Sequence, residues 1–255
     1  MRDAASVLRQ QILALGATLV GFADIEGLLQ GDFAQWPRAV SIGLALPDEV
    51  IDPVAGGPTL EYFDTYNRAN ERLNDIAGQT VGLIHALGHQ AEGFPATVQE
   101  GGLDERNLRV AFQHKTAATR AGLGWVGKSA LLISYACGPR VRFATAFTDM
   151  PLQVGTPVGV SECRRCTACV RACPAGAISG EDWWAGRPRE DLLDASSCHA
   201  EARRRLIQRV GVDKPVCGIC IAVCPKGRPK SARRGRQPLS LPADETTSLR
   251  PGSSG

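Results

Sequence analysis

Aromatic side chains are scarce in this chain, and long apolar runs are absent. Phe, Trp and Tyr make up 5% of the 255 residues, so the core must be built mainly from Leu, Val, Ile and Ala. No apolar stretch approaches the roughly 20 residues of a membrane-spanning helix. The N-terminus also lacks the apolar run and cleavage site of a secretory signal. We therefore expect a cytoplasmic globular protein with no membrane partner.

Cysteine, in contrast, is abundant, and its positions are uneven. Eight of the nine cysteines lie between Cys163 and Cys224. Disulfides are rare in the reducing cytoplasm, so these cysteines are predicted to bind metal. The ninth, Cys137, has no identifiable base near it in sequence and is predicted to be a small buried residue.

The cysteine spacing is that of a protein with two iron–sulfur clusters. Residues 163–174 read C-x2-C-x2-C-x3-C-P, and residues 217–225 repeat a shortened copy, C-x2-C-x3-C-P, with Cys198 as the missing ligand. Two four-cysteine zinc sites are the alternative, but they need neither the three-residue gap nor the proline. In the usual crossed arrangement, one [4Fe–4S] cluster has the ligands Cys163, Cys166, Cys169 and Cys224. The other has the ligands Cys173, Cys198, Cys217 and Cys220.

A glycine-rich segment precedes the cysteines and matches two phosphate-binding patterns. Residues 122–129, Gly-Leu-Gly-Trp-Val-Gly-Lys-Ser, fit both G-x-x-x-x-G-K-S and G-x-G-x-x-G. In a true phosphate loop a strand comes first and a helix follows. Here the pattern predicts a helix before the glycines and a strand after them. The segment is therefore predicted to be a tight helix-to-strand turn, with Gly122 ending the helix.

Helical and strand patterns are interspersed before residue 150. Helices are predicted to end at Gly16, to span about 59–87 and to span about 105–121. Strands are predicted over 19–23, 39–46, 91–98, 129–134 and 141–147, the last two around a Cys137-Gly138-Pro139 turn.

These patterns predict an α+β protein with three parts. Residues 1–155 are predicted to form an α/β layer domain with a mixed sheet. Residues 156–228 form a ferredoxin-like double-cluster domain. Residues 229–255 are a basic tail that is predicted to be disordered.

Positive charge is concentrated towards the C-terminus. The formal net charge is +3, but residues 198–237 carry eleven basic and only two acidic side chains. The remaining chain is therefore net negative. This asymmetry suggests a partner that is acidic, such as RNA or an acidic protein. The alternative is a solvated basic tail.

The glycine segment and the cysteines together resemble the epoxyqueuosine reductases. The resemblance rests on residues 121–128, a following strand, a Gly-Pro-Arg turn, Phe147-Thr148-Asp149 and the two cysteine motifs. It extends from about residue 15 to residue 226. The chain is most similar to the short double-cluster relatives of those enzymes, which often share a pair like His114-Lys115.

This resemblance implies an N-terminal domain that holds cobalamin and a cluster domain that supplies it with electrons. It makes Gly124, Trp125, Lys128 and Leu132 candidate cofactor neighbours. The alternative to a cofactor role is a structural one. Gly124 would then be explained by the geometry of the turn, and Trp125 and Leu132 by packing.

The chain departs from the family pattern at the proton donor. The family's Asp-x-x-Pro-x-x-Glu stretch falls, without gaps, on residues 108–114, which places Leu108 at the aspartate position and His114 at the glutamate position. Leucine cannot deliver a proton, whereas an imidazole can. His114 is thus the candidate catalytic residue, with Asp104 and Glu105 as weaker ones. The family's C-terminal helical repeats, which help hold tRNA, are replaced here by the short basic tail.

Three functions remain open at the level of sequence. The first is an iron–sulfur reductase that passes electrons through two [4Fe–4S] clusters to a cobalamin or a substrate. The second is an electron-transfer partner that reduces a separate corrinoid or redox enzyme. The third is an RNA-binding module with structural clusters. The first two need an electron-donor protein of the ferredoxin or flavodoxin type, and tRNA or an acidic protein could bind the basic C-terminal region.

Overall fold

The computed structural model describes residues 4–29, 31–97, 103–104 and 108–227. Their α-helices are α1 (Ala4–Ala14), α2 (Asp48–Ile51), α3 (Leu60–Ala86), α4 (His114–Arg120), α5 (Ala168–Ala172), α6 (Ala195–Val210) and α7 (Ile219–Ala222). Their strands are β1 (Leu19–Asp24), β2 (Arg38–Ala45), β3 (Ala91–Phe94), β4 (Leu103–Asp104), β5 (Arg109–Val110), β6 (Gly124–Val126), β7 (Leu132–Ser134) and β8 (Val141–Thr148). The predicted combination of helices and strands is confirmed. The predicted tail, residues 229–255, lies outside the described residues.

The main sheet has four strands in the order β1-β2-β8-β3, and every neighbouring pair is antiparallel. The prediction of a mixed sheet is therefore wrong, because this sheet is antiparallel throughout. Strands β2 and β3 do run in the same direction, as a helical crossover through α3 dictates. Strand β8 lies between them, however, and Phe147 faces Ala39 on one side and Glu92 on the other.

Helix α3 covers one face of this sheet and carries much of the core. The Thr59 side chain caps its start by accepting a hydrogen bond from the Tyr62 amide. Gly88, in the left-handed region at φ +84°, follows its end. The buried side of the helix includes Leu73, Ile76 and Ile84, which pack with residues of α1, β1 and β2. The predicted helix over 59–87 is confirmed.

Two of the predicted elements are wrong. The helix expected over about 105–121 is reduced to α4, because Leu108 has φ +49° and residues 109–110 form β5. The strand predicted over 129–134 is shortened to β7, which pairs with β6. The apolar alternation of a strand does not specify its partner, so this pairing was not readable from the sequence.

The cysteine-bearing part shares a core with the sheet domain. The buried cluster that contains the α3 residues also includes Leu206 of α6, Ala222 of α7 and Val216, which lies between these helices. The segment over 151–160, which joins the two parts, lies along the first domain. The Gly155 amide donates to the Phe22 carbonyl at 2.8 Å, and the Val158 amide donates to the Thr119 carbonyl at 2.9 Å.

Arg140 joins the same two parts through its charge. It is 1% exposed, and its guanidinium lies 2.9 Å from an Asp48 oxygen and 2.6 Å from an Asp52 oxygen. It also donates to the carbonyl of Ala222 in α7 at 3.4 Å. From the sequence, Arg140 was recognisable only as part of a turn.

Within the described parts of the chain, no helix is long and apolar enough to cross a membrane.

Candidate functional site

The glycine segment forms a β-hairpin, residues 122–134, which we call the glycine hairpin. Gly122, at φ +73°, ends α4, and β6 and β7 follow as an antiparallel pair. A Cβ at Gly124 would come within 2.1 Å of the Ile133 carbonyl oxygen, so the close approach of these strands requires glycine. A strand precedes Gly127-Lys128-Ser129, as in a phosphate loop, but β7 follows where such a loop opens a helix. The interpretation that this is not a nucleotide-binding loop is thus supported.

The tip of the glycine hairpin contacts the cysteine-bearing part. A Cβ at Gly127 would lie 3.4 Å from the Cys163 sulfur. Lys128, 7% exposed, lies with its Nζ 3.7 Å from an Asp182 oxygen. Val126 and Ala130 are buried together with Leu192 of the cysteine-bearing part. This hairpin is therefore a further contact between the sheet domain and the cysteine-bearing part.

The structure brings Cys163, Cys166, Cys169 and Cys224 together, and we call these the first cysteine set. Burial raises the pKa of the Cys169 thiol to about 11, and the neighbouring Cys163, Cys224 and Cys166 add to this effect. Cys166 is exposed, as are Arg164 and Arg165 beside it. Arg164 has φ +52°, an uncommon backbone conformation for a non-glycine residue. The first cysteine set thus reaches the molecular surface.

Cys173, Cys198, Cys217 and Cys220 form the second cysteine set. Burial raises the pKa of Cys198 to about 11, with Cys173 and Cys217 as the next causes. Burial also raises the pKa of Cys220, to which Cys217, Cys198 and, from the first set, Cys169 contribute. The two sets are therefore adjacent. All four thiols of the second set line one cavity, and Ser129 of the glycine hairpin forms part of its wall.

The donor chemistry of both sets fits an iron–sulfur cluster. Each set offers four sulfur atoms, and thiolate is the ligand that such clusters take. Across the described residues, no three His, Cys, Asp or Glu side chains converge as a site for a single metal ion. Because burial raises the pKa of Cys169 and of Cys198 to about 11, these two thiols are protonated at neutral pH, and cluster binding must displace their protons.

A larger cavity of about 300 Å³ lies on the other side of the hairpin tip, and we call it the main cavity. Its wall includes residues 113–115, 130–132 and 141–143, together with Ala96, Leu108, Val110, Pro139, Arg189 and Ile221. Two of these, Leu108 and Ala130, have positive φ without being glycine, at +49° and +57°. Backbone strain of this kind clusters at functional sites.

His114 lies in the wall of the main cavity with both ring nitrogens engaged. Its Nε2 is 3.0 Å from the Pro95 carbonyl oxygen, and its Nδ1 is 2.8 Å from the Thr145 hydroxyl. Since the carbonyl can only accept, Nε2 carries the proton and Nδ1 accepts from Thr145. Burial lowers the pKa of His114 to about 4, despite the opposing effect of the Pro95 carbonyl. The imidazole is therefore neutral near pH 7 and held between two partners.

Lys115 is the neighbouring group that sequence reasoning did not single out. Its Nζ donates to the Ala130 carbonyl at 3.0 Å, which ties α4 to the strained residue of the hairpin tip. Burial lowers the pKa of Lys115 to about 8, the charge of Arg189 lowers it further, and Glu190 opposes them. An ammonium with this pKa can give up its proton close to neutral pH.

Arg142 in the same wall is fully engaged within the protein. It donates to Asn70, Tyr66, Thr97 and the Ala96 carbonyl, and its guanidinium stacks 4.3 Å from the centre of the Tyr66 ring. These contacts fix one side of the main cavity. Lys115 belongs to the His114-Lys115 pair of the resemblance, but Arg142 belongs to no recognisable motif, so only the fold reveals that both line one cavity.

All four predicted cofactor neighbours lie in the glycine hairpin, but only one of them lines the main cavity. Leu132 lines the main cavity, whereas Gly124 is explained by strand contact and Lys128 faces Asp182. Trp125 is 2% exposed, and its indole nitrogen has no hydrogen-bond partner. A buried donor without a partner costs about 1–3 kcal/mol, which makes Trp125 unusual.

Cobalamin fits the main cavity only in part. Small-molecule sites range over roughly 300–1,000 Å³, and a corrinoid with its side arms is larger than the usual small ligand. The volume enclosed by the described residues therefore suits an edge or a side arm of the ring. Its lysine, arginine and amide side chains would suit the amide and phosphate groups that a corrinoid carries.

Two carboxylates pair with three of the four arginines of α6. Arg203 pairs with Asp213, and both Arg204 and Arg205 pair with Glu201. The Arg209 guanidinium donates to the Pro58 carbonyl at 3.0 Å. Glu201 and Asp213 are the two acidic residues already included in the sequence count, so these pairs leave the excess positive charge of this region unchanged. The basic residues from 228 onward lie outside the described residues.

The protein-family model for the 4Fe-4S double cluster binding domain matches residues 162–227. That stretch contains both cysteine sets in full. The prediction of two [4Fe–4S] clusters is confirmed by this match.

Curated relatives of two kinds match the chain. An epoxyqueuosine reductase of Aliivibrio fischeri is 44% identical over 123 residues, 48% of this chain and 30% of the relative. One from Cyclobacterium marinum is 33% identical over 119 residues, 44% of this chain and 36% of the relative. The predicted resemblance to the epoxyqueuosine reductases is confirmed. A tetrachloroethene reductive dehalogenase of Dehalobacter restrictus is 39% identical over 114 residues, 42% of this chain and 21% of that enzyme.

Solved structures show that the epoxyqueuosine reductase-like fold extends over most of the chain. A reductive dehalogenase studied for B12-dependent dehalogenation aligns with a TM-score of 0.69 at 23% identity, over 88% of this chain and 32% of its own. An epoxyqueuosine reductase with an epoxyqueuosine-modified tRNA-Tyr stem loop aligns with a TM-score of 0.54 at 19% identity, over 87% and 64%. The matched stretches thus span about a fifth to a third of the curated relatives, and up to about two thirds of these solved chains. The chain is an iron–sulfur protein related to both enzyme groups, and cobalamin is supported as a candidate cofactor.

Proposed function

We propose that this protein is an iron–sulfur reductase of the epoxyqueuosine-reductase type that reduces a cofactor or substrate in the main cavity. One observation carries the proposal: the tip of the glycine hairpin forms part of all three sites. Gly127 contacts Cys163, Ser129 lines the second cysteine set, and Ala130 lines the main cavity. Four consecutive residues therefore connect the cysteine sets with the cavity.

Exposure suggests the direction of electron flow. Cys166 of the first set is exposed, so a donor of the ferredoxin or flavodoxin type can approach there. Arg164 and Arg165 directly precede Cys166, and their positive charges would attract an acidic donor surface. The second set lies deeper, and helix α7 carries both Cys220 and the cavity residue Ile221. When bound, [4Fe–4S] clusters supply one-electron transfer at potentials that their surroundings set.

Within the main cavity, Lys115 is the residue that we propose as the proton source. Reduction of most substrates consumes protons as well as electrons, and a donor must lie at the site. His114 lines the same wall, but its one ring proton is held by the Pro95 carbonyl. Lys115 has three ammonium N–H groups and uses one in its hydrogen bond to the Ala130 carbonyl. The other two N–H groups can be directed into the cavity.

Chemical labelling of Lys115 tests its proton affinity directly. Only the unprotonated amine is acylated, so its labelling rate should rise with pH and level off above a pKa of about 8. A model lysine amide, with an ordinary pKa of about 10.4, should continue to rise. Acetylation with an N-hydroxysuccinimide ester between pH 6.5 and 10, read by peptide mass spectrometry, measures both curves. A Lys115 curve parallel to that of the model amide would contradict the role.

The reductase proposal is tested by electron paramagnetic resonance of protein with reconstituted clusters. The protein is incubated anaerobically with cobalamin, desalted, reduced and measured. A stoichiometric cob(II)alamin signal beside the cluster signals is the expected result. Cluster signals with no retained cobalamin would reject the corrinoid as its cofactor.

The second candidate is an electron-transfer partner without its own substrate. One observation favours it: none of the described residues that line the main cavity is Asp or Glu, and Leu108 stands where the family pattern has its aspartate. Such a protein would reduce an added corrinoid protein but no small molecule. Turnover of a small substrate with only an artificial electron donor would exclude it.

For tRNA, the support comes from a relative rather than from the described surface. The related reductase was solved with a tRNA stem loop, and we propose tRNA as a partner of the basic C-terminal region. Phosphate contacts make such binding steeply dependent on salt. Fluorescence anisotropy with a labelled tRNA stem loop should therefore show affinity that falls sharply between 50 and 200 mM salt. No binding at the lowest salt would exclude this partner.

A further inference from the structure

We propose that the indole N–H of Trp125 donates a hydrogen bond to a sulfur atom of the first [4Fe–4S] cluster or of its cysteine ligands, and so raises its reduction potential. Trp125 would then be a positioning residue for electron transfer. The inference rests on cluster binding by the first cysteine set, and does not depend on which substrate the main cavity accepts.

The first observation is the state of the indole nitrogen. Trp125 is 2% exposed, and its Nε1 is buried without a hydrogen-bond partner. Buried indole N–H groups normally find an acceptor. An unpaired donor at this depth therefore points to an acceptor that the polypeptide itself does not provide.

The second observation is the direction in which the side chain leaves the hairpin. Side chains two residues apart in an extended strand point to the same face. Gly127 directly follows β6, and its amide donates to the Leu131 carbonyl at 2.8 Å, so the pairing of the hairpin continues through it. The Cβ position of Gly127, two residues after Trp125, lies 3.4 Å from the Cys163 sulfur. Trp125 therefore extends towards the face on which the first cysteine set lies.

The third observation is the set of groups around the indole ring. Lys226, two residues after Cys224, places its Nζ 5.5 Å from the ring centre. Tyr135 packs against the ring at 5.3 Å and donates its hydroxyl at 2.7 Å to Glu162, the residue before Cys163. The ring thus lies close to residues that are near Cys163 and Cys224 in sequence. These two ligands of the first cysteine set come from opposite ends of the cysteine-bearing part.

The chemistry of this hydrogen bond has a definite sign. A cluster gains one negative charge on reduction, so a donor to its sulfur atoms stabilises the reduced form more than the oxidised form. The bond therefore raises the potential, and its removal lowers it. The positive charges of Arg164, Arg165 and Lys226 act in the same direction, so the indole works with them.

The experiment compares Trp125→Phe with the wild type by a potentiometric titration followed by electron paramagnetic resonance. Phenylalanine keeps an aromatic ring and removes the N–H. One of the two cluster potentials should fall by about 59 mV, which is a tenfold change in a one-electron equilibrium. The other should stay unchanged. Trp184→Phe is the matched control, because Trp184 is an exposed tryptophan of the same part. Unchanged potentials in Trp125→Phe, or an equal fall in Trp184→Phe, would overturn the inference.

A second measurement needs no variant and separates failure of loading from failure of the inference. Wild-type protein labelled with ¹⁵N at tryptophan only is loaded, its iron content is determined, and the reduced clusters are examined by pulsed electron paramagnetic resonance. A ¹⁵N coupling on a cluster signal is the expected result. Fully loaded protein with no such coupling, or with coupling only to added cob(II)alamin, would overturn the proposal.

Discussion

Replacing Cys169 and Cys224 together with alanine should remove about half of the iron and leave one native cluster signal. The structure groups these two cysteines although 54 positions separate them in the chain, and it separates Cys224 from its near neighbour Cys220. Both substitutions then damage the same site. If ligands were instead grouped by closeness in sequence, the pair would damage both sites.

The reciprocal variant is the matched comparison. Cys220→Ala with Cys224→Ala should leave neither native cluster signal, because each substitution removes a ligand from a different set. Cys137→Ala should keep full iron, since Cys137 packs with Val141 and Phe143 away from both sets. Iron and acid-labile sulfide per chain, with spectra of the reduced protein, measure all three. One native signal in the Cys220/Cys224 pair and none in the Cys169/Cys224 pair would reject the crossed arrangement.

Replacing Asp48 and Asp52 together with alanine should lower the free energy of unfolding by about 3–5 kcal/mol. Arg140 would then be a buried charge without its carboxylate partners, and stranding one member of a buried pair carries a cost of this size. Arg140→Met should cost less, because the carboxylates that it leaves behind are 43% and 58% exposed and can be hydrated. Urea unfolding of the loaded protein, followed by circular dichroism without oxygen, gives these values.

The control for that prediction is an ion pair on the surface. Asp213→Ala breaks the ion pair between Asp213 and Arg203. Both side chains are more than half exposed, so this change should cost far less stability than the double variant. An equal loss in Asp213→Ala and in the double variant would contradict the role of Arg140. Arg140 also donates to the carbonyl of Ala222, which lies between the ligands Cys220 and Cys224 in sequence. The Asp48/Asp52 double variant should therefore release iron faster than Asp213→Ala.

The parts of the structure that the sequence predicted well are those with local causes. Thr59 and Gly88 mark the ends of α3, Gly122 marks the end of α4, and the cysteine spacing indicates two clusters. Strand partners depend on contacts between distant residues. The insertion of β8 between β2 and β3 therefore had no local signal, and neither did the pairing of β7 with β6.

The main cavity shows the same limit at the level of the site. His114 could be selected from the sequence because of its chemistry, but not the contacts with Pro95 and Thr145 that hold it neutral. Lys115 becomes notable only when burial, Arg189 and Ala130 are in place around it. Trp125 could be named from its resemblance to family members, whereas its unpaired nitrogen is a property of the packed structure.

The long-range pairing of Cys224 with the first cysteine set also bears on biosynthesis. A chain that is still being synthesised has only three of the four thiols of the first set until residue 224 is made, and the second set waits for residue 220. Neither cofactor can be fully enclosed before translation has nearly reached the end of the cysteine-bearing part. Delivery of iron and sulfide is therefore a late event in maturation, and premature termination shortly before residue 217 would yield a protein with neither centre complete.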